Sequence, residues 1–324
     1  MYLEHFGLKK APFQIAPDDK LLYLSQKHAK ALVYMDYATW QPDGFVVITG
    51  EIGAGKSTLI KRLLRKIKDK AVCFHLPFTN LKDTELLAFM ARQADIRVAA
   101  DDKVSIIYAL TDYFKEITSS GIPCVLVIDE AQNLTRSNLE DIRMLAGLEG
   151  DNGTMLRVVM LGQPEFMNTV NSSEQLRQRV KLHYHLVGLD QAEVEQYINY
   201  RLELCGLQNN KLFDASLIES IFKLSKGIPR LINKICDSLL ICAFSEGRKK
   251  PEISDFEDVA QDLMMLPIGS SSSVTRETNV AGDSNNNLER IAIALEKISS
   301  QFEKITNDTG TKKEKNFLGL RAAK

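Results

Sequence analysis

The sequence predicts an α/β fold: a P-loop parallel sheet with helices on both faces, followed by a small all-α domain and a C-terminal helical tail. Three observations predict it. Apolar runs of strand length alternate with helix-patterned segments between residues 45 and 187, which is the signature of a parallel sheet with right-handed crossovers. The first run, Phe45-Val46-Val47-Ile48, leads directly into Gly50-Glu51-Ile52-Gly53-Ala54-Gly55-Lys56-Ser57, a G-x-x-x-x-G-K-S loop with a helix-forming segment from Thr58 onward. From Asp190 the strand-like runs stop and only helical periodicity remains.

The bulk properties fit a soluble chain of two domains and a tail. Of 324 residues, 44% are hydrophobic and 26% charged, and the formal net charge is -1, so no global basic field announces nucleic acid. Cys73, Cys124, Cys205, Cys236 and Cys242 form no C-x-x-C pair, and their odd number does not suit a disulfide framework; free thiols in a reducing compartment are expected. Met1 to Phe6 lacks the basic-then-apolar pattern of a signal peptide, and no apolar stretch is long enough to span a bilayer. The expected location is cytosolic or peripheral.

In chain order, Leu8, Pro12, Phe13, Ile15 and Pro17 suggest an irregular segment packed onto a core. Ser25 can cap a helix from His28 to Thr39, and Asp43-Gly44 turns into the first strand. Ala71 to Leu76 reads as a second strand. Asp83 can cap a helix over Leu86, Leu87, Phe89 and Met90, and Val104, Ile107, Leu110, Phe114 and Ile117 pattern a longer one. Cys124 to Ile128 is apolar on both faces, as a central parallel strand requires. A helix over Leu139, Ile142, Leu145 and Leu148, a turn at Gly150 to Gly153, a strand over Leu156 to Leu161 and a fifth strand over Leu182 to Val187 complete the sheet domain. Residues 190–205, 214–225, 229–244 and 254–263 are helical, with Pro229 at a first-turn position. Residues 266–287 have linker composition. Leu288, Ile291, Leu295, Ile298, Phe302 and Ile305 then trace an a/d seam that suits either a short coiled coil or an amphipathic helix docked on its own protein. The chain beyond is polar and basic, with the composition of a disordered tail.

The chemistry follows from where these residues fall. Ligands of parallel sheets bind at the carboxyl ends of the strands, and the loop, Asp129, Glu130 and Gln163 all fall at such ends. The glycines let backbone amides turn inward on phosphate oxygens, and the following helix adds the positive end of its dipole. Gly50, Glu51, Ile52, Gly53, Ala54, Gly55, Lys56, Ser57 and Thr58 are therefore the nucleotide-binding candidates. Lys56 reaches for the β- and γ-phosphates, and Ser57 with Asp129 for Mg²⁺. Glu130 is the candidate base for the attacking water; the alternative, that Asp-Glu merely opens a turn, does not explain the loop upstream. Gln163 either orients that water or belongs to an ordinary Gly-Gln-Pro turn. Arg177 and Arg179, placed past the last helix of the sheet domain, and Arg230 are surface arginines or transition-state stabilisers. Lys61, Arg62, Arg65, Lys66, Lys68 and Lys70 form a basic run that is a solvated helix face or a nucleic-acid contact.

The loop, Val125-Leu126-Val127-Ile128-Asp129-Glu130, Gln163 and Gly227-Ile228-Pro229-Arg230 together resemble the AAA+ ATPases. The resemblance implies a Walker B pair at Asp129 and Glu130, a sensor 1 position at Gln163, a sensor 2 arginine at Arg230 on a helical lid, and an arginine finger at Arg177 or Arg179. It also implies ATP held between neighbours in a homo-oligomeric ring or filament. A narrower match, through Met1-Tyr2-Leu3-Glu4-His5-Phe6-Gly7-Leu8, Pro12-Phe13, Leu22-Tyr23-Leu24-Ser25, Asp129-Glu130-Ala131-Gln132 and Leu161-Gly162-Gln163-Pro164-Glu165, is similar to the general secretion pathway A (ExeA-like) ATPases. More distantly, the chain resembles the TnsC-type transposition ATPases. The organisation then expected is an ATPase core with its N-terminal extension over 1–188, a helical lid over 189–265, a linker over 266–287, a heptad-patterned helix over 288–306 and a tail over 307–324. The expected function is ATP hydrolysis with Mg²⁺ to assemble or regulate a bacterial envelope machine (secretion, pilus or exopolysaccharide) together with a protein partner. The alternative is a DNA-associated ATPase that regulates transposition.

Overall fold

The computed structural model describes residues 2–14, 23–77, 79, 81, 85–97, 102–151, 153–207 and 212–265. The expected linker, heptad helix and tail lie outside the described residues, as do Ile15, Pro17, Leu22, Asp83 and Asn152.

The strands are β1 (Phe45–Gly50), β2 (Val72–Leu76), β3 (Cys124–Ile128), the small hairpin β4 (Glu149–Gly150) and β5 (Gly153–Thr154), β6 (Leu156–Gly162) and β7 (Leu182–Leu186). Five of them form one sheet in the order β2-β3-β6-β1-β7, every neighbouring pair parallel. The placement of β6 matters for the site. It lies between the strand carrying the loop and the strand ending in Asp129, so three strand ends line up with Gln163 at the middle one. The helices are α1 (Tyr2–His5), α2 (Gln26–Trp40), α3 (Lys56–Ile67), α4 (Glu85–Gln93), α5 (Lys103–Ser119), α6 (Arg136–Leu145), α7 (Phe166–Ser172), α8 (Glu174–Arg179), α9 (Gln191–Leu204), α10 (Ala215–Ser225), α11 (Pro229–Ser245) and α12 (Ile253–Met265).

Successive side chains of a strand point to opposite faces, and the buried strands are apolar on both. Val46, Ile48, Val125, Val127, Val159 and Leu161 face α2 and α3 through Ala31, Met35, Leu59, Ile60 and Leu63. Phe45, Val47, Leu126, Ile128, Val158 and Met160 face α4, α5 and α6 through Leu87, Met90, Leu110, Phe114 and Ile142. Each such side chain contributes roughly 1.5–3 kcal/mol on burial, which is what fixes the helices against the sheet. β7 and β2 are the edge strands, and the alternation of half-buried and exposed residues in β7 makes its apolar signal the weakest of the five.

Ser25 caps α2 by accepting from the His28 amide, Thr135 and Asn138 form a capping box on α6, and Asp190 and Glu193 form one on α9. Helices α9 to α12 enclose a third core of Val194, Ile198, Ile221, Ile232, Leu239 and Leu240. The N-terminal segment, grouped above with the sheet domain, contributes Phe6, Leu8 and Phe13 to this helical core. Buried Arg201 fastens it: Nε donates to the Pro12 carbonyl at 2.6 Å and Nη1 to the Tyr197 hydroxyl at 2.7 Å.

Two features went unread in the sequence. The turn at Gly150 to Gly153 is the tip of the β4–β5 hairpin, and residues 166–179 form α7 and α8. Arg177 and Arg179 therefore lie within a helix and not past the last one; segments of six or seven residues are too short to show a helical period. All five cysteines are free, and burial pushes the Cys73 and Cys124 thiols up to about 12. No described helix is long and apolar enough to cross a membrane.

Candidate nucleotide site

The loop leaves β1 at Gly50 and enters α3 at Lys56. Gly53 (φ +85°) and Gly55 (φ +102°) occupy the left-handed region, where a side chain is strained, and these two positions let the chain reverse within six residues. Gly55 also receives the Thr58 and Leu59 amides on its carbonyl, so α3 starts abruptly at the loop. Lys56 is 5% exposed, and its ammonium donates to the Gly50 carbonyl at 2.6 Å and the Glu51 carbonyl at 3.1 Å. Burial pushes the Lys56 pKa down, against the pull of Glu130 and Asp129. The lysine lies folded over the loop on carbonyls that an anionic ligand can replace.

Asp129 follows β3, and its amide donates to the Leu76 carbonyl of β2 at 3.0 Å, which holds it at the sheet end. Burial raises its pKa, opposed by a hydrogen bond with the Ser57 hydroxyl. Glu130 adopts a left-handed backbone (φ 51°, ψ 43°) that is uncommon for a residue other than glycine. Three bonds hold it there. Its amide donates to Asp129 Oδ1 (3.0 Å), its carbonyl accepts from the buried Thr79 hydroxyl (2.6 Å), and its carboxylate accepts from Gln132 Nε2 (2.7 Å). Gln132 Oε1 in turn accepts from the Gln163 amide at 3.0 Å.

Lys56, Ser57, Asp129, Glu130 and Gln163 thus converge on three neighbouring strand ends. Gln163 enters through its backbone amide, and the side chain that bridges to Glu130 is Gln132. Spacing gave no weight to Gln132; its i+2 position after a catalytic candidate, at the mouth of a 3₁₀ turn (Ala131–Asn133), is the signal that could have found it. The Arg230 amide donates to the Gly53 carbonyl at 3.3 Å, and its stem lies over Gly53 so closely that a Cβ there would stand 2.4 Å from Arg230 Cβ. The approach is fixed by Lys226 and Gly227, both at positive φ; a Cβ on Gly227 would sit 1.9 Å from the Leu189 carbonyl. The other arginines are not brought in. Arg177 is exposed and paired bidentately with Glu174 (3.1 and 2.8 Å), while Arg179 lies against Gly147. The basic run of α3 points to solvent at Lys61, Arg62, Arg65 and Lys66, and Lys66 pairs with Asp36 at 2.5 Å.

The strand order, the phosphate loop and a helical domain laid on that loop define a P-loop fold of the AAA+ type. Residues 39–170 match the family described as "AAA domain". The chain is similar to general secretion pathway protein A of Aeromonas hydrophila, with 35% identity over 266 residues, covering 81% of this chain and 48% of that protein. It therefore spans about half the length of that relative. Among solved structures, Cdc6p from Pyrobaculum aerophilum superposes with a TM-score of 0.59 at 18% identity, covering 76% of this chain and 71% of that one. The Aeropyrum pernix ORC2 protein, in ADPNP–ADP complexes, gives 0.57 at 15% identity, with 78% and 72% covered. At these identities the likeness is one of fold.

Proposed function

We propose that this chain hydrolyses ATP at the loop of residues 50–58 and uses the cycle to assemble or regulate a bacterial envelope machine. The convergence of Lys56, Ser57, Asp129 and Glu130 on adjacent strand ends carries the hydrolytic part of this reading. Similarity to a protein named for the general secretion pathway carries the biological part.

The residues fit a triphosphate and Mg²⁺. Gly53 and Gly55 at positive φ let the loop turn tightly, and Lys56 supplies a cation already held inside it. Among the described residues no group of three or more His, Cys, Asp or Glu could hold a metal ion. The Ser57–Asp129 oxygen pair suits instead a hard ion that keeps its waters and shares phosphate oxygens. Bound there, Mg²⁺ would neutralise phosphate charge. Lys56 leaves its carbonyls for the phosphates. Glu130, aimed by its Thr79 and Gln132 bonds, accepts the proton of the attacking water. Arg230, from the lid over residues 189–265, then meets the γ-phosphate as the helical domain closes on the sheet domain. Exposed Arg177, or Arg179 once freed from Gly147, serves the neighbouring subunit of a ring or filament. The working place is the cytoplasm, against the inner membrane through a protein partner.

The test is ATP turnover by the full chain and by Glu130→Gln, with and without duplex DNA at several salt concentrations. The expected result is normal ATP binding with turnover lost in Glu130→Gln, and no DNA effect. Normal turnover in that variant overturns the assigned base, and salt-sensitive stimulation by DNA overturns the assembly role.

A further inference from the structure

The start of α2 has no role in the site described above, yet it touches both the loop and the lid. His28 is 4% exposed. One ring nitrogen, Nε2, lies 3.0 Å from the Ala54 carbonyl, and the other, Nδ1, lies 2.7 Å from the Ser25 hydroxyl. A carbonyl can only accept, so Nε2 carries the proton and donates to it, and Nδ1 accepts from Ser25. Burial keeps the imidazole below its usual range, which favours this neutral form. The ring is flush against the loop: a Cβ on Gly55 would stand 2.9 Å from Nε2. One residue earlier, Lys27 donates to Glu193 at 2.5 Å and to Asp190 at 3.5 Å, the two members of the capping box that starts α9. Tyr23 donates to Gln196 on the same helix at 2.7 Å and meets Tyr197 and Tyr200 edge-on.

We propose that His28 is a positioning residue that sets the phosphate loop in its binding conformation, and that Lys27 ties this setting to the first turn of the lid helix α9. The physical basis is the rigidity of one peptide unit. The Ala54 carbonyl and the Gly55 N–H belong to the same planar trans peptide, so they point in opposite directions. Holding the carbonyl on His28 directs the Gly55 amide away from the ring. The two glycines on either side of Ala54, at φ +85° and +102°, offer no side-chain restraint of their own, so the restraint has to come from a neighbour. α2 packs against α3 and β1 through Ala31, Met35 and Ala38 and makes a firm mount for it. A change at the loop then moves the start of α2, and Lys27 carries that movement to Asp190 and Glu193.

This inference rests on residues 50–58 being the nucleotide loop, and the experiment separates the two. Binding of a fluorescent ATP analogue is measured for the full chain and for His28→Leu, His28→Gln, His28→Asn, Lys27→Ala and Lys56→Ala. Leu keeps the bulk but not the donor, Gln places an amide nitrogen near the Nε2 position, and Asn is too short to reach. Weakening by about tenfold in His28→Leu, the worth of one buried hydrogen bond, with recovery in His28→Gln, is expected. Equal affinity in His28→Leu and the parent overturns the positioning role. If His28→Leu does not fold, His28→Gln against His28→Asn decides it, equal affinities again overturning the role. Hydrogen exchange at the first turn of α9 reads the link: nucleotide-induced protection present in the parent and lost in Lys27→Ala supports it, and protection retained in Lys27→Ala overturns it. Unaltered binding by Lys56→Ala would instead remove the loop assignment itself.

Discussion

Gly53→Ala tests the contact between loop and lid with one methyl group. At φ +85° an alanine is strained by ~1–2 kcal/mol. Its Cβ would also stand 2.4 Å from Arg230 Cβ, more than 1 Å inside a normal carbon–carbon contact. Arg230 cannot swing this atom aside by changing rotamer, and Pro229 before it fixes the first turn of α11, so the turn has to lift off the loop. Lifting stretches the 3.3 Å bond from the Arg230 amide to the Gly53 carbonyl, worth ~1 kcal/mol. The expected loss is therefore ~2–3 kcal/mol in urea unfolding, accompanied by weaker nucleotide binding. The double variant Gly53→Ala/Arg230→Gly removes the clash and leaves the backbone strain, so the thermodynamic cycle should show ~1 kcal/mol of favourable coupling. A single variant within ~0.5 kcal/mol of the parent, or an additive cycle, would refute a lid seated on Gly53.

Asp129→Asn should stabilise the nucleotide-free protein while ending hydrolysis. The buried Asp129 carboxyl has its folded pKa raised above the ordinary 3.8, so its destabilising effect is complete at neutral pH and disappears as pH falls toward 3.8. Thermal melts should show a gain at pH 7 that vanishes near pH 4, and no gain at pH 7 counts against the assignment. Gln132→Leu removes the bond to Glu130 and leaves the Gln163 amide without its acceptor; both groups are half-buried, so ~1–2 kcal/mol of stability and most of the turnover should be lost with nucleotide affinity kept. Unchanged turnover would make Gln132 a bystander. His28, His75 and His183 are all held below the usual 6.5 by burial. The unfolded chain therefore takes up protons first, and stability should fall as pH drops below about 6.5, as read by urea midpoints from pH 8 to 5. A flat profile over that range would contradict the three shifts.

The sheet was legible because its strands are buried on both faces. Runs such as Cys124 to Ile128 and Phe45 to Ile48 need no partner to be recognised, and the glycine-rich loop carries its chemistry in its spacing. Strand order was not legible. Nothing local in Leu156 to Gly162 says that it inserts between β1 and β3, since that follows from how α6 and the hairpin return the chain across the sheet. The same holds for the site's cross-links. Gln132 to Glu130 spans two residues and could have been guessed, whereas His28 to Ala54 spans 26 and depends on where α2 docks. Ser25 was visible as a cap but not as the partner of His28, because a sequence shows which backbone group a cap satisfies and not what its hydroxyl does with its own proton.

The N-terminal segment has a consequence for how the chain is made. Phe6, Leu8 and Phe13 reach their places only on helices much later in the chain: Tyr2 bonds Asp237, 235 residues away, and Pro12 bonds Arg201, 189 residues away. A ribosome adding residues one at a time releases these apolar groups long before their partners exist. The sheet domain can complete meanwhile from contacts within residues 45–186, leaving an apolar segment waiting for α9 to α12. Closure of that long loop is then the late step, and refolding should be paced by the N-terminal segment finding helices α9 and α11.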